Sequence, residues 1–305
     1  MSEDVNTNDA TESAENGANQ SFDWRPVFAF VGLTALFAAV AYYFVIVLGL
    51  RRYYVAFLMW TPALGVFATA KLGLINLRSL AWRWPADRWI GLAYALPILY
   101  GLIAYAIIWG GGFGGLLDAK FIQEVSYFLG LDGWSEGATI AFGILMFGTV
   151  GMIWHMATAL GEEIGWRGYL TPALLKRFNF ATTSVIVGLF WGLWHYPIIM
   201  WTSYNAGPSD LELQFLNYLV MTIGLSFIMT YLTLGSRSLW PAAVMHAAHN
   251  IYILTIMQPM TIQYKETWRY ASEFGFILPI VALLVGLFFW RKAIQSGMTE
   301  VSTTA

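Results

Sequence analysis

Long uncharged runs constrain this chain more than any other feature. Val27–Leu50, Tyr53–Ala70, Trp89–Trp109, the run opening at Gly137 and ending at Gly161, a segment within Phe178–Ser209, Leu213–Leu234, Leu239–Met257 and Phe274–Trp290 follow one another with short charged or glycine-rich breaks. A helix needs about 20 apolar residues to cross a bilayer, and the longer runs meet that requirement. Inside hydrocarbon every backbone polar group must be satisfied within the protein, which leaves helices or closed barrels. Composition agrees: 58% of residues are hydrophobic and 11% charged, against about 25% charged in soluble domains. The expected fold is all-α, a polytopic membrane protein of about eight transmembrane helices.

The flanks differ in composition. Residues 1–22 are rich in Asn, Ser, Thr, Glu and Asp and read as a disordered polar tail without a signal peptide's basic start and apolar core. Residues 23–292 read as one membrane domain without internal repeats, and 293–305 as a short tail. Five of the six residues in Gly110–Gly115 are glycine and should break the third helix. After it, Phe121, Val125 and Phe128 recur at helical spacing and predict a short interfacial amphipathic helix. A net charge of −2 argues against a nucleic-acid partner. The chain has no cysteine, which excludes disulfides, thiolate metal sites, a cysteine nucleophile and S-acylation.

Basic residues set the expected orientation. With eight spans, Arg25, Lys71, Arg78, Arg83, Arg88, Arg167, Lys176, Arg177, Arg237, Arg291 and Lys292 fall on the side of the termini. Arg51, Arg52, Lys120, Lys265 and Arg269 fall on the other, so 11 and 5 make up the total of 16. Both termini are therefore expected in the cytoplasm, in a multi-pass protein of the cell membrane.

The fourth run ends in Gly161-Glu162-Glu163-Ile164-Gly165-Trp166-Arg167-Gly168. Ionisable groups at membrane depth cost about 2.5–3.5 kcal/mol each on insertion scales, which makes them functional candidates. On a helix Glu163 and Arg167 are i,i+4 partners, while Glu162 points about 100° away. One carboxylate can be held by the arginine and the other left free for chemistry. A salt bridge closing the end of a membrane helix is the plainer alternative.

Four histidines lie downstream or nearby: His155, His195, His246 and His249. His246 and Asn250 share a helix face at i,i+4, and Ala247 and Ala248 let another helix approach. A lone intramembrane histidine is more often a packed polar tether, but here three spans each carry polar groups of a different type. With a turn at Lys176-Arg177-Phe178-Asn179, Glu162 and His195 come level in an antiparallel hairpin, roughly 24 Å from the turn at 1.5 Å per residue. His246 and Asn250 enter from the same side. The fourth, fifth and seventh spans should share one polar cavity, expected to open towards the cytoplasm.

The sequence has no His-Glu-x-x-His zinc helix, no Gly-x-Ser-x-Gly elbow and no aspartate deep in a span. A carboxylate, imidazoles and an amide remain. A glutamate can act as general base on water, and an imidazole N–H with an amide NH₂ can hold an oxyanion. Glu162, His195 and His246 could also be three ligands of a zinc ion, with water as the fourth; Asn250, a poor zinc ligand, favours the metal-free reading.

Glu162-Glu163-x-x-x-Arg167, then His195, then His246-x-x-x-Asn250 resembles the CAAX prenyl endopeptidase and bacteriocin-processing (Abi) family of intramembrane proteases. Trp60-Thr61-Pro62 and Asn76-Leu77-Arg78 resemble that family's amino-terminal half. The resemblance implies an eight-helix enzyme in which Glu162 activates water with His195, His246 and Asn250 stabilise the oxyanion, and Glu163 and Arg167 support the site. It implies a membrane-associated peptide substrate, lipidated or leader-bearing, and no cofactor. The family usually has Phe four residues before the second-motif histidine; Trp191 stands here and is expected to alter packing more than chemistry. His155 and His249 match no family position and are expected to be structural. The alternatives are a non-catalytic immunity or scaffold protein of the same fold and, more distantly, a proton-coupled transporter, for which inverted repeats would be needed.

Overall fold

The computed structural model describes residues 22–298. The polar amino-terminal tail, apart from Phe22, and the last seven positions lie outside them. Among the described residues the chain is almost entirely helical: α1 (Arg25–Val47), α2 (Arg52–Lys71), α3 (Asp87–Gly110), α4 (Ala119–Leu129), α5 (Glu136–Thr149), α6 (Gly151–Glu163), α7 (Thr171–Leu175), α8 (Phe180–Trp201), α9 (Leu211–Ser236), α10 (Trp240–His249) and α11 (Ile277–Gln295). Seven helical stretches are long and apolar enough to cross a membrane, one of them the composite Glu136–Leu175. Over the run Leu239–Met257, expected as a further span, the ten residues of α10 run into eight residues of π-helix, Asn250–Met257. The chain is an integral multi-pass membrane protein of all-α architecture.

Local chemistry sets the boundaries. Asn179 starts α8 by accepting from the Thr182 N–H at 2.9 Å, and Asp118 starts α4 by accepting from the Lys120 N–H at 2.8 Å; such caps satisfy donors a helix start leaves free. In α4, Phe121 and Val125 are buried while Phe128 is 69% exposed. The glycine run ends α3 and feeds a two-residue strand, β1 (Gly115–Leu116), paired antiparallel with β2 (Thr261–Ile262).

Alternating crossings give the bundle two ends. At the end of α1's start, the Leu239 N–H donates to the Ala81 carbonyl and the Trp240 indole to the Trp82 carbonyl. At the other end lie the α1–α2 turn, α4, the β1–β2 ribbon and the segment 263–276, where Phe113 stacks on Tyr270.

With hydrocarbon on the outside, helices associate by close packing and polar contacts. The glutamate-bearing segment is seated on α2 by two glycines. A Cβ on Gly161 would lie 2.7 Å from the Met59 carbonyl oxygen, and one on Gly165 would lie 2.4 Å from Pro62 Cβ. The Trp60 indole fastens the same contact by donating to the Ala157 carbonyl at 2.9 Å. Trp60-Thr61-Pro62 is thus the surface on which Glu162 and Glu163 rest.

Candidate active site

Two of the three motif-bearing helices change their hydrogen bonding at the site. α6 ends at Glu163 and continues as π-helix over Ile164–Leu170. α10 ends at His249 and continues as π-helix from Asn250. An i→i+5 turn carries an extra residue, costs regular geometry, and recurs at functional sites.

The two neighbouring carboxylates take different partners. Glu163, fully buried, accepts from Arg167 Nη1 at 3.0 and 3.1 Å and from His246 Nδ1 at 2.9 Å. Arg167 Nη2 donates to Ser226 Oγ of α9 at 2.9 Å. Glu162 Oε2 instead accepts from the Trp191 indole N–H at 2.7 Å. Glu162 Oε1 is buried and has no hydrogen-bond partner among the described residues.

His195 Nδ1 lies 2.9 Å from the Trp191 carbonyl oxygen. A carbonyl only accepts, so Nδ1 carries the proton and the neutral ring has its lone pair on Nε2. Tyr204 stacks on this ring and Tyr218 packs against it, with centroids at 6.1 and 4.9 Å. His246 likewise donates its Nδ1–H to Glu163, which leaves Nε2 for another role. The Asn250 amide forms no hydrogen bond among the described residues.

Glu162, His195, His246 and Asn250 line one cavity of about 600 Å³, within the usual range for ligand sites. Its wall includes Val55, Met59, Phe147 and Leu254. Glu163 and Arg167 are behind it: they orient His246 and do not line it. Among the described residues no group of three or more His, Cys, Asp or Glu side chains is placed to hold a metal ion.

The structure adds detail to three expectations. The cavity wall includes Leu50, Arg52, Phe128 and Leu129, from the end of the bundle opposite the Lys176–Asn179 turn. A site roughly 24 Å from one turn lies close to the far side of a hydrocarbon core about 30 Å thick. Trp191 is more than a packing variant, because its indole bonds Glu162. His249 belongs to a polar cluster that sequence reasoning missed. Its Nε2–H donates to Glu273 Oε1 at 3.0 Å, the Tyr100 hydroxyl donates to its Nδ1 at 2.5 Å, and the Tyr204 hydroxyl donates to Glu273 Oε2 at 3.3 Å. His249, Glu273 and Tyr204 also line the cavity. The available signal was a carboxylate, Glu273, directly before the last apolar run.

Residues 145–252 match the family model of the type II CAAX prenyl endopeptidase Rce1-like proteins. CAAX prenyl protease 2 of Methanococcus maripaludis is 31% identical over 99 residues, which cover 32% of this chain and 36% of the relative. The match thus spans about a third of that curated protein's length. The resemblance read from the three motifs is borne out over this stretch, which contains Glu162, His195, His246 and Asn250.

Proposed function

We propose, from the Rce1-like character of residues 145–252 and the cavity they line, that this chain is an intramembrane endopeptidase. The observation that carries the reading is the pairing of two lone pairs in one cavity: Glu162 Oε1, without a partner, and His195 Nε2, freed by the Nδ1 bond to Trp191. A water held between two acceptors presents its own lone pair to a carbonyl carbon. Glu162 takes the water's proton as the new C–O bond forms. The Asn250 amide and the His246 Nε2–H, carried when that imidazole is protonated beside Glu163, stabilise the oxyanion. As the C–N bond breaks, the proton passes from Glu162 to the leaving nitrogen, giving an amine and a carboxylic acid that then ionises to solvent. No step is routed through a metal.

The substrate class is a membrane-associated peptide, lipidated or leader-bearing, because the cavity wall is largely apolar and is reached at membrane depth. The name of the Methanococcus relative points to prenylated proteins, and a prenyl chain suits such a wall. The test compares peptide products from membranes that carry the wild-type chain with those from membranes that carry Glu162→Gln. New carboxyl termini confined to the wild type support the reading. Identical product sets with equal yields contradict it and favour the scaffold alternative.

A further inference from the structure

Trp191 touches four polar residues of the site: Glu162, His195, Arg167 and His246. Its indole N–H donates to Glu162 Oε2 at 2.7 Å. Its carbonyl accepts from His195 Nδ1 at 2.9 Å. The Arg167 guanidinium carbon sits 4.6 Å from its ring centroid, in cation–π range. The His246 ring packs edge-on at 5.3 Å. The residue is 3% exposed, so these contacts are shielded from solvent.

We infer that Trp191 is the positioning residue that assigns the two oxygens of Glu162 different tasks: Oε2 is held by the indole, and Oε1 is left to the reacting water. This rests on the endopeptidase reading of Glu162. Two features carry it. First, a carboxylate held at one oxygen can no longer exchange its oxygens by rotating, so one lone-pair direction is fixed towards the cavity. Second, the donor is neutral. Arg167 gives its hydrogen bonds to Glu163 and Ser226 and none to Glu162, while the Trp191 ring covers its face. Glu162 is therefore oriented without being ion-paired, whereas a cation bonded to it would weaken it as a base. One residue thus sets both partners of the water, Glu162 through its side chain and His195 through its backbone.

The experiment uses Trp191→Phe, which keeps an aromatic ring and the backbone carbonyl but removes the N–H. Purified protein in detergent is compared for cleavage of an identified substrate and for its tryptophan indole N–H resonances after ¹⁵N labelling; the chain has 15 tryptophans. The resonance missing in Trp191→Phe is that of Trp191. It should shift in Glu162→Gln, where the indole faces a neutral amide. kcat of Trp191→Phe should fall about tenfold or more, the scale of a hydrogen bond to a charged group, with KM changed less than about twofold. An unshifted Trp191 resonance in Glu162→Gln overturns the hydrogen bond whether or not Trp191→Phe folds. A wild-type kcat in Trp191→Phe, or a loss carried by KM alone, overturns the positioning role while an inactive Glu162→Gln leaves the endopeptidase reading intact. Full activity in Glu162→Gln removes that reading instead, and the resonance still reports on the hydrogen bond.

Discussion

Glu162 and Glu163 are adjacent, both buried, and chemically unequal because of what each meets. Glu163 is enclosed by Arg167 and His246, whereas Glu162 has one neutral donor and one open oxygen. The i,i+4 spacing made the Glu163–Arg167 pair legible in the sequence. The indole donor was not, because Trp191 lies 29 positions from Glu162 and bonds it across two helices. A buried pair costs desolvation and becomes expensive when one partner is removed, by about 3–5 kcal/mol. Glu163→Gln or Arg167→Met alone should therefore lower thermal stability in detergent strongly, and the double variant should recover a large part of the loss. Additive losses in that double-mutant cycle would show that the two side chains do not act as a pair.

Helix packing brings these residues together, and glycine decides how closely. Gly161 and Gly165 let the glutamate segment lie on the backbone of Met59–Pro62. A methyl at Gly165 has no room against Pro62 Cβ, while one at Gly32 meets nothing within 4 Å. Gly165→Ala should destabilise the protein by about 1–3 kcal/mol, the range for overpacking, and lower cleavage with it. Gly32→Ala should leave the melting temperature unchanged, and equal effects at the two positions would refute the seating. The elements themselves were legible, since uncharged runs mark helices. The π-helical turns after Glu163 and His249 were not, because no local residue pattern distinguishes them from α-helix. Ideal 3.6-residue spacing brings Glu162 and His195 level but carries no sign of these turns.

Across the whole molecule most basic residues of the loops fall at the end opposite Leu50 and Arg52, which line the cavity. Arg167 is fully buried and leaves the loop count, so 11 − 1 = 10 basic residues face the side of the termini and 5 the other. From that bias and the positive-inside rule we propose that Leu50 and Arg52, and the cavity mouth beside them, lie outside the cytoplasm. Because the chain has no cysteine, single cysteines at the exposed positions Lys176 and Lys265 report without background. An impermeant thiol reagent on intact cells should label Lys265→Cys, and Lys176→Cys only after permeabilisation; the reverse pattern would place the mouth in the cytoplasm. The central claim, that Glu162 activates the attacking water, is tested most directly with purified protein, an identified substrate and ¹⁸O-labelled water. The wild type should place one ¹⁸O in each new carboxyl terminus, and Glu162→Gln, still folded, should form that product at least about a hundredfold more slowly. Labelled product from Glu162→Gln at the wild-type rate would contradict the claim.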